Sequence, residues 1–174
     1  MVAAASGPRA DEWVLLAYRV PREPSSPRIT IWRKLKRLGV AQVGDGMVAL
    51  PADPRTVEAL EWVANDVIEA GGQASVWSAQ PLDRAVGTAL AAGMRRARAV
   101  EYAELDARTR ALADAAPALS QPERARRLKA LRAELRKIQR RDHFPPEERD
   151  RAASRLRDLG RTLASEDTRV EAAR

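Results

Sequence analysis

The feature that most restricts this chain is Gly44-Asp45-Gly46, set between two short apolar runs, Val40 to Val43 and Met47 to Leu50. An Asp-Gly pair in that setting is a strong local hairpin signal, so the two runs are expected to pair as antiparallel neighbours. What flanks the hairpin then sets the order of elements. Upstream, Ser26 as N-cap and Pro27 at the first helical position start a helix that Gly39 closes in a left-handed cap. Its apolar side reads as Ile31, Trp32, Leu35 and Leu38, which leaves Arg33, Lys34, Lys36 and Arg37 toward solvent. Before that helix, Glu12 to Val20 is β-rich, apolar on both faces and stopped by Pro21. Such a run describes a central strand.

Downstream, Asp53 caps and Pro54 opens a second helix whose inner side is Val57, Leu60, Val63, Ala64 and Val67, ending at Gly71-Gly72. Gln73 to Gln80 forms a fourth strand. The order strand, helix, strand, strand, helix, strand is that of a ferredoxin-like α+β domain, expected over 12–80, with both helices on one face of a four-stranded antiparallel sheet. The other face would still carry about half of the apolar residues between Trp13 and Tyr18, with either Val76 or Trp77. That much open apolar sheet calls for a cover, either the later helices or a second copy, and a homodimer is the favoured arrangement.

From Met94 the apolar period becomes coiled-coil-like. Tyr102, Leu105, Thr109 and Leu112 form one seam, Leu128, Leu131, Leu135 and Ile138 a second, and Ala152, Leu156, Leu159 and Leu163 a third. Three helices in an antiparallel helical arm over 81–165 are expected, between a disordered leader at 1–11 and a flexible tail at 166–174. Ser120-Gln-Pro-Glu123 has the pattern of a capping box at the start of the second arm helix, and Phe144-Pro145-Pro146 separates the second from the third.

The net charge of +7 is local: residues 121–161 hold fourteen basic and seven acidic residues, and the rest of the chain is near neutral. Within that segment Glu123 is placed to pair with Arg127 and Glu134 with Lys137, leaving Arg132, Arg136, Arg140 and Arg141 short of acidic neighbours. Unpaired Arg on a rigid helix suits phosphate or another tetrahedral oxyanion. GC-rich coding, which favours Arg and Ala whatever the function, yields the same excess. The exposed cations Arg33, Lys34, Lys36 and Arg37 form a second candidate surface for DNA phosphates, with a merely solvated helix face as the plain alternative.

These cations sit in segments that resemble a known family. The first strand running into Pro21, Trp32-Arg33-Lys34-Leu35-Lys36-Arg37-Leu38-Gly39, Val48-Ala49-Leu50-Pro51, Gly71-Gly72-Gln73-Ala74, Arg98-Ala99-Val100-Glu101-Tyr102 and Ile138 to Phe144 are together similar to the N-terminal domain of the chromate-resistance regulator ChrB. The resemblance implies a regulatory protein linked to chromate resistance, and the basic segments suit DNA, or chromate or another oxyanion, as ligand. Two departures stand out. His143 occupies a position where the family leads one to expect an aromatic, and family regulators usually carry a further C-terminal domain, so effector sensing is expected to be absent or delegated.

Catalysis is not expected. Zero Cys removes disulfides and thiol redox chemistry and fits a cytoplasmic location, and the lone His143 beside Asp142 does not make a metal site; no cofactor is implied. CRISPR-associated endoribonuclease-like domains of the same topology place an Asp at the end of the first strand, where this chain reads Tyr18-Arg19-Val20-Pro21, and Asp45 is expected to lie too far away in its turn to substitute. No signal peptide or membrane span is expected. Four Trp in a chain with 4% aromatic residues raise base stacking as a further use, although Trp13 and Trp32 fall on core-facing patterns, while Trp62 and Trp77 are left open. The reading from another class is a protein-interaction or scaffold module that binds no nucleic acid.

Overall fold

The computed structural model describes residues 11–172, with side chains through 166. Apart from Asp11, the leader expected at 1–11 lies outside the described residues. The elements run β1 (Trp13–Arg19), α1 (Ser25–Leu38), β2 (Ala41–Gly44), β3 (Met47–Pro51), α2 (Pro54–Glu69), β4 (Gln73–Ala79), α3 (Arg84–Ala115), a short 3-10 turn (Ala116–Ala118), α4 (Gln121–Arg140) and α5 (Glu148–Ala172). The described residues form a mixed α+β structure with one four-stranded antiparallel sheet, ordered β2-β3-β1-β4, and five α-helices.

The described residues divide into two compact units, 11–95 with 141–144, and 96–140 with 145–172. The division falls inside α3 rather than near residue 80. Helix α5 continues to Ala172, through positions where a tail was expected from 166.

In the first unit the hairpin is as expected: β2 and β3 pair across Gly44-Asp45-Gly46, and Gly46 takes a φ of 69°. A Cβ on Gly46 would stand 2.5 Å from the Tyr18 carbonyl oxygen, so only glycine lets the turn lie this close to β1. The Tyr18 N–H donates to the Gly46 carbonyl at 2.7 Å and pins the turn there. Strand register sorts the side chains. Val14 and Leu16 share a face with Leu50, Val48 and Val76, and their core continues into Ile31 and Leu35 of α1 and Leu60, Val63 and Val67 of α2. At about 1.5–3 kcal/mol per fully buried aliphatic side chain, this layer dominates the unit's stability.

The opposite face holds Trp13, between Pro51 and Ala79, and Leu15, between Ala49 and Trp77. Part of it is covered inside the unit itself: Trp13 is 1% exposed, its ring 5.9 Å from that of Phe144, and Ala91 and Met94 of α3 join the same buried cluster. Trp77 is left 60% exposed, its Nε1–H donating to Ser75 Oγ.

Helix ends show which local signals acted. Asp53 accepts from the backbone N–H groups of Arg55 and Thr56, and the Thr56 hydroxyl both accepts from Asp53 N–H and donates to the Pro51 carbonyl at 2.6 Å. Gly39 takes the left-handed cap expected of it, at φ 73°. The start of α1 differs: Pro24 precedes the helix and no side chain caps it, so Ser26 lies one residue inside.

In the second unit, Tyr102, Leu105, Leu112, Leu128, Leu131, Ile138, Leu156, Leu159 and Leu163 form one buried core, the seams read from the sequence. Helices α4 and α5 run antiparallel, since Arg124 pairs with Glu166 while Arg132 lies over Gly160. Asp106, 7% exposed, is held by Arg155 and by Arg110 at 3.5 Å. Glu123 pairs with Arg127 as expected, and the Ser120 carbonyl accepts from the Glu123 and Arg124 N–H groups. Glu134 reaches Arg108 of α3 at 2.5 Å instead of Lys137.

Candidate anion-binding surfaces

The four cations of α1 do not act as one patch. Lys34 turns toward α2 and pairs with Asp66 at 2.6 Å, a part-buried tie between helices worth about 1 kcal/mol or less. Lys36 places its ammonium 5.3 Å from the centroid of the Trp32 ring. Arg33 and Arg37 are exposed and make no ion pair among the described residues. Trp32 itself corrects the sequence reading: it is 56% exposed, while Ile31 and Leu35 carry the buried stripe.

Trp32 lines a hollow of about 770 Å³ at the end of β1. Tyr18 and Arg19 come from the strand, Arg28, Trp32 and Arg33 from α1, and Asp45 from the hairpin turn. Burial raises the Tyr18 phenol above its ordinary value, so the hydroxyl stays neutral and able to donate. Asp45 thus sits beside the end of β1, contrary to the expectation that the turn would hold it away. The cause is the close packing of Gly46 on Tyr18. It is a single carboxylate among three guanidiniums. Among the described residues no group of three or more His, Asp or Glu side chains is placed to hold a metal ion.

His143 belongs to the first unit, where its Nε2 lies 2.9 Å from the carbonyl of Leu38, the last residue of α1. A carbonyl only accepts, so Nε2 carries the proton and answers one of the orphan acceptors at that helix end. The partner is distant in sequence rather than local. Arg141, in the same segment, is half-buried and already has a partner.

In the second unit α4 carries Arg132, Arg136 and Arg140 at successive four-residue steps, all exposed and without an ion pair among the described residues. The Arg132 guanidinium makes no ion pair among the described residues but lies over buried Gly160. Arg136 and Arg140 have no such engagement. A groove of about 520 Å³ between α3 and α5 also contains arginines, of which Arg155 and Arg110 pair with Asp106 while Arg151 is exposed without an ion pair among the described residues. No helix among the described residues is long and apolar enough to cross a membrane.

A four-stranded α+β unit with an aromatic, arginine-lined hollow, and a helical unit with an arginine stripe, define a basic two-unit protein whose exposed chemistry is suited to anions. The chain belongs to the ChrB N-terminal family: the family model described as "Protein ChrB, N-terminal" matches residues 28–116. It is similar to Protein ChrB of Cupriavidus metallidurans, with 30% identity over 154 residues, 87% of this chain and 46% of the relative. The chain thus spans about half the length of the curated relative it matches.

Proposed function

We propose that this is a non-enzymatic, cytoplasmic regulatory protein linked to chromate resistance, which contacts DNA phosphates through α4. The observation that carries the reading is the exposed pair Arg136 and Arg140, one helical turn apart and without an acidic partner among the described residues. Phosphate contact needs only such fixed positive charges, and a rigid helix presents them at constant spacing. A tetrahedral oxyanion such as chromate is the smaller ligand that the same charges would attract. The family membership supports the regulatory reading. The β2-β3-β1-β4 order supports a ferredoxin-like assignment for the first unit.

The test is salt dependence. Duplex DNA binding should weaken with ionic strength, and Arg136→Gln with Arg140→Gln should flatten the slope of log affinity against log salt by about 0.9 per lost contact. An unchanged slope moves the site away from α4, and no binding at low salt removes the reading. The rival is a protein-interaction module, favoured by the exposure of Trp62 at 66% and Trp77 at 60%. Trp77, beside part-buried Leu15 on the sheet's open face, is also the surface on which a homodimer would close. Light scattering at micromolar concentration, with Trp77→Ser as the dissociating variant, tests that arrangement. A metal-dependent nuclease is disfavoured, since Arg19, Arg28 and Arg33 share the hollow of Asp45 and repel a divalent cation.

A further inference from the structure

We infer that the hollow at the end of β1 is a binding site for a nucleoside phosphate. The inference rests on the first unit alone, so its failure and the failure of DNA contact through α4 are separate results. The volume of about 770 Å³ lies within the range of small-molecule sites and far exceeds the space of a bare tetrahedral anion.

Its charge is unbalanced. Arg19, Arg28 and Arg33 face the hollow with Asp45 as the opposing charge, and none of the four makes an ion pair among the described residues. Two surplus guanidiniums match a phosphate dianion, whose oxygens accept the paired N–H donors of each fork. An inorganic anion would leave the rest of the lining unused.

That rest is a base-sized aromatic wall. Trp32 keeps 56% of its surface exposed and Ile29 46%, although a buried apolar stripe lies one residue away at Ile31. Lys36 stands over the Trp32 ring, and the exposed indole bordering the hollow offers a flat apolar surface on which a nucleobase stacks whatever its identity. Asp45 accepts from sugar hydroxyls, and the neutral Tyr18 phenol can donate or accept. The walls are held in place: the turn carrying Asp45 is fixed to β1 by the Tyr18–Gly46 hydrogen bond, and α1 is tied to α2 by Lys34–Asp66. A free nucleotide presents its phosphate as a dianion, and one unit of a single strand presents the same base and sugar on a monoanionic diester.

The test uses the full chain with Trp62→Phe and Trp77→Phe, so that the exposed indole signal comes from Trp32. It is titrated with adenosine 5′-monophosphate, uridine 5′-monophosphate, inorganic phosphate and a ten-nucleotide single-stranded DNA. Saturable quenching by the monophosphates, or by the oligonucleotide, is expected. Inorganic phosphate should bind roughly tenfold or more weakly, having no base to stack. Arg28→Gln with Arg33→Gln should lower nucleotide affinity about tenfold or more through lost charge-assisted bonds, with the circular dichroism unchanged because both side chains are exposed. Trp32→Leu, followed by calorimetry, should abolish the preference for nucleotide over phosphate. Monophosphate binding as tight as that of the oligonucleotide identifies a free nucleotide as the ligand, and binding of the oligonucleotide alone identifies a strand. The inference is overturned if no ligand quenches saturably, if phosphate binds as well as the nucleotides, or if the double Arg variant binds normally.

Discussion

Replacing Gly46 by alanine should unsettle the first unit, while the same replacement two residues earlier should not. At Gly46 the φ of 69° places an alanine in the left-handed region, at a cost of about 1–2 kcal/mol. The added Cβ would also meet the Tyr18 carbonyl oxygen at 2.5 Å, a backbone atom that cannot swing aside as a side chain can. Relieving that contact moves the turn and sacrifices the Tyr18 N–H to Gly46 hydrogen bond, about 1 kcal/mol more. Against this, alanine restricts the unfolded chain and returns about 0.5–1 kcal/mol. The net expectation is a loss of about 2 kcal/mol. Gly44→Ala has the same unfolded-state gain, and its Cβ meets nothing within 4 Å, so it should be neutral or slightly stabilising. All four tryptophans lie in the first unit, so their fluorescence follows its unfolding without contribution from the helical unit. With a urea dependence of about 2 kcal/mol per molar, the Gly46→Ala midpoint should fall by about 1 M relative to wild type. Equal midpoints for the two variants would refute both the turn conformation and its packing on β1.

Thr56→Val keeps shape and adds apolar character at a buried position, yet it should cost about 2 kcal/mol in the same urea assay, because the Pro51 carbonyl and the Asp53 N–H lose their partner. Thr56→Ser, which keeps the hydroxyl and loses one methyl, should cost less. His143→Phe should lower stability by about 1 kcal/mol by leaving the Leu38 carbonyl unanswered, and a melting temperature equal to wild type would contradict that role. Arg155→Met leaves Asp106 nearly buried with Arg110 alone, and should cost about 1–3 kcal/mol, read by far-ultraviolet circular dichroism of the helical unit.

The hairpin, the Asp53 cap, the Gly39 cap and the three helical seams were legible because each rests on neighbours within a few residues. Trp32 was not. Ile31, Leu35 and Leu38 already complete a helical stripe, and Trp32 lies a full 100° step away from Ile31, so including it widened the stripe on apolarity alone. The hollow was missed for a different reason. Arg19, Arg28 and Asp45 come from three elements, and only the tight approach of Gly46 to Tyr18 brings the turn beside the strand end. Its available signal was the positive-φ glycine following the acid. Pairings across helices were equally invisible: Glu134 has a nearby Lys137 yet meets Arg108, and nothing local in the sequence places the Arg132 guanidinium over Gly160.

The return of residues 141–144 to the first unit bears on how the protein can be dissected. A fragment cut at residue 116, where the family match stops, would contain every strand and both sheet-covering helices, yet lack Phe144 against Trp13 and His143 against Leu38. Its largest core indole would open to water. The stretch of chain that identifies the family is therefore shorter than the stretch that completes its fold, and a soluble, well-folded excision of the first unit needs that four-residue segment supplied, by a grafted loop or in trans.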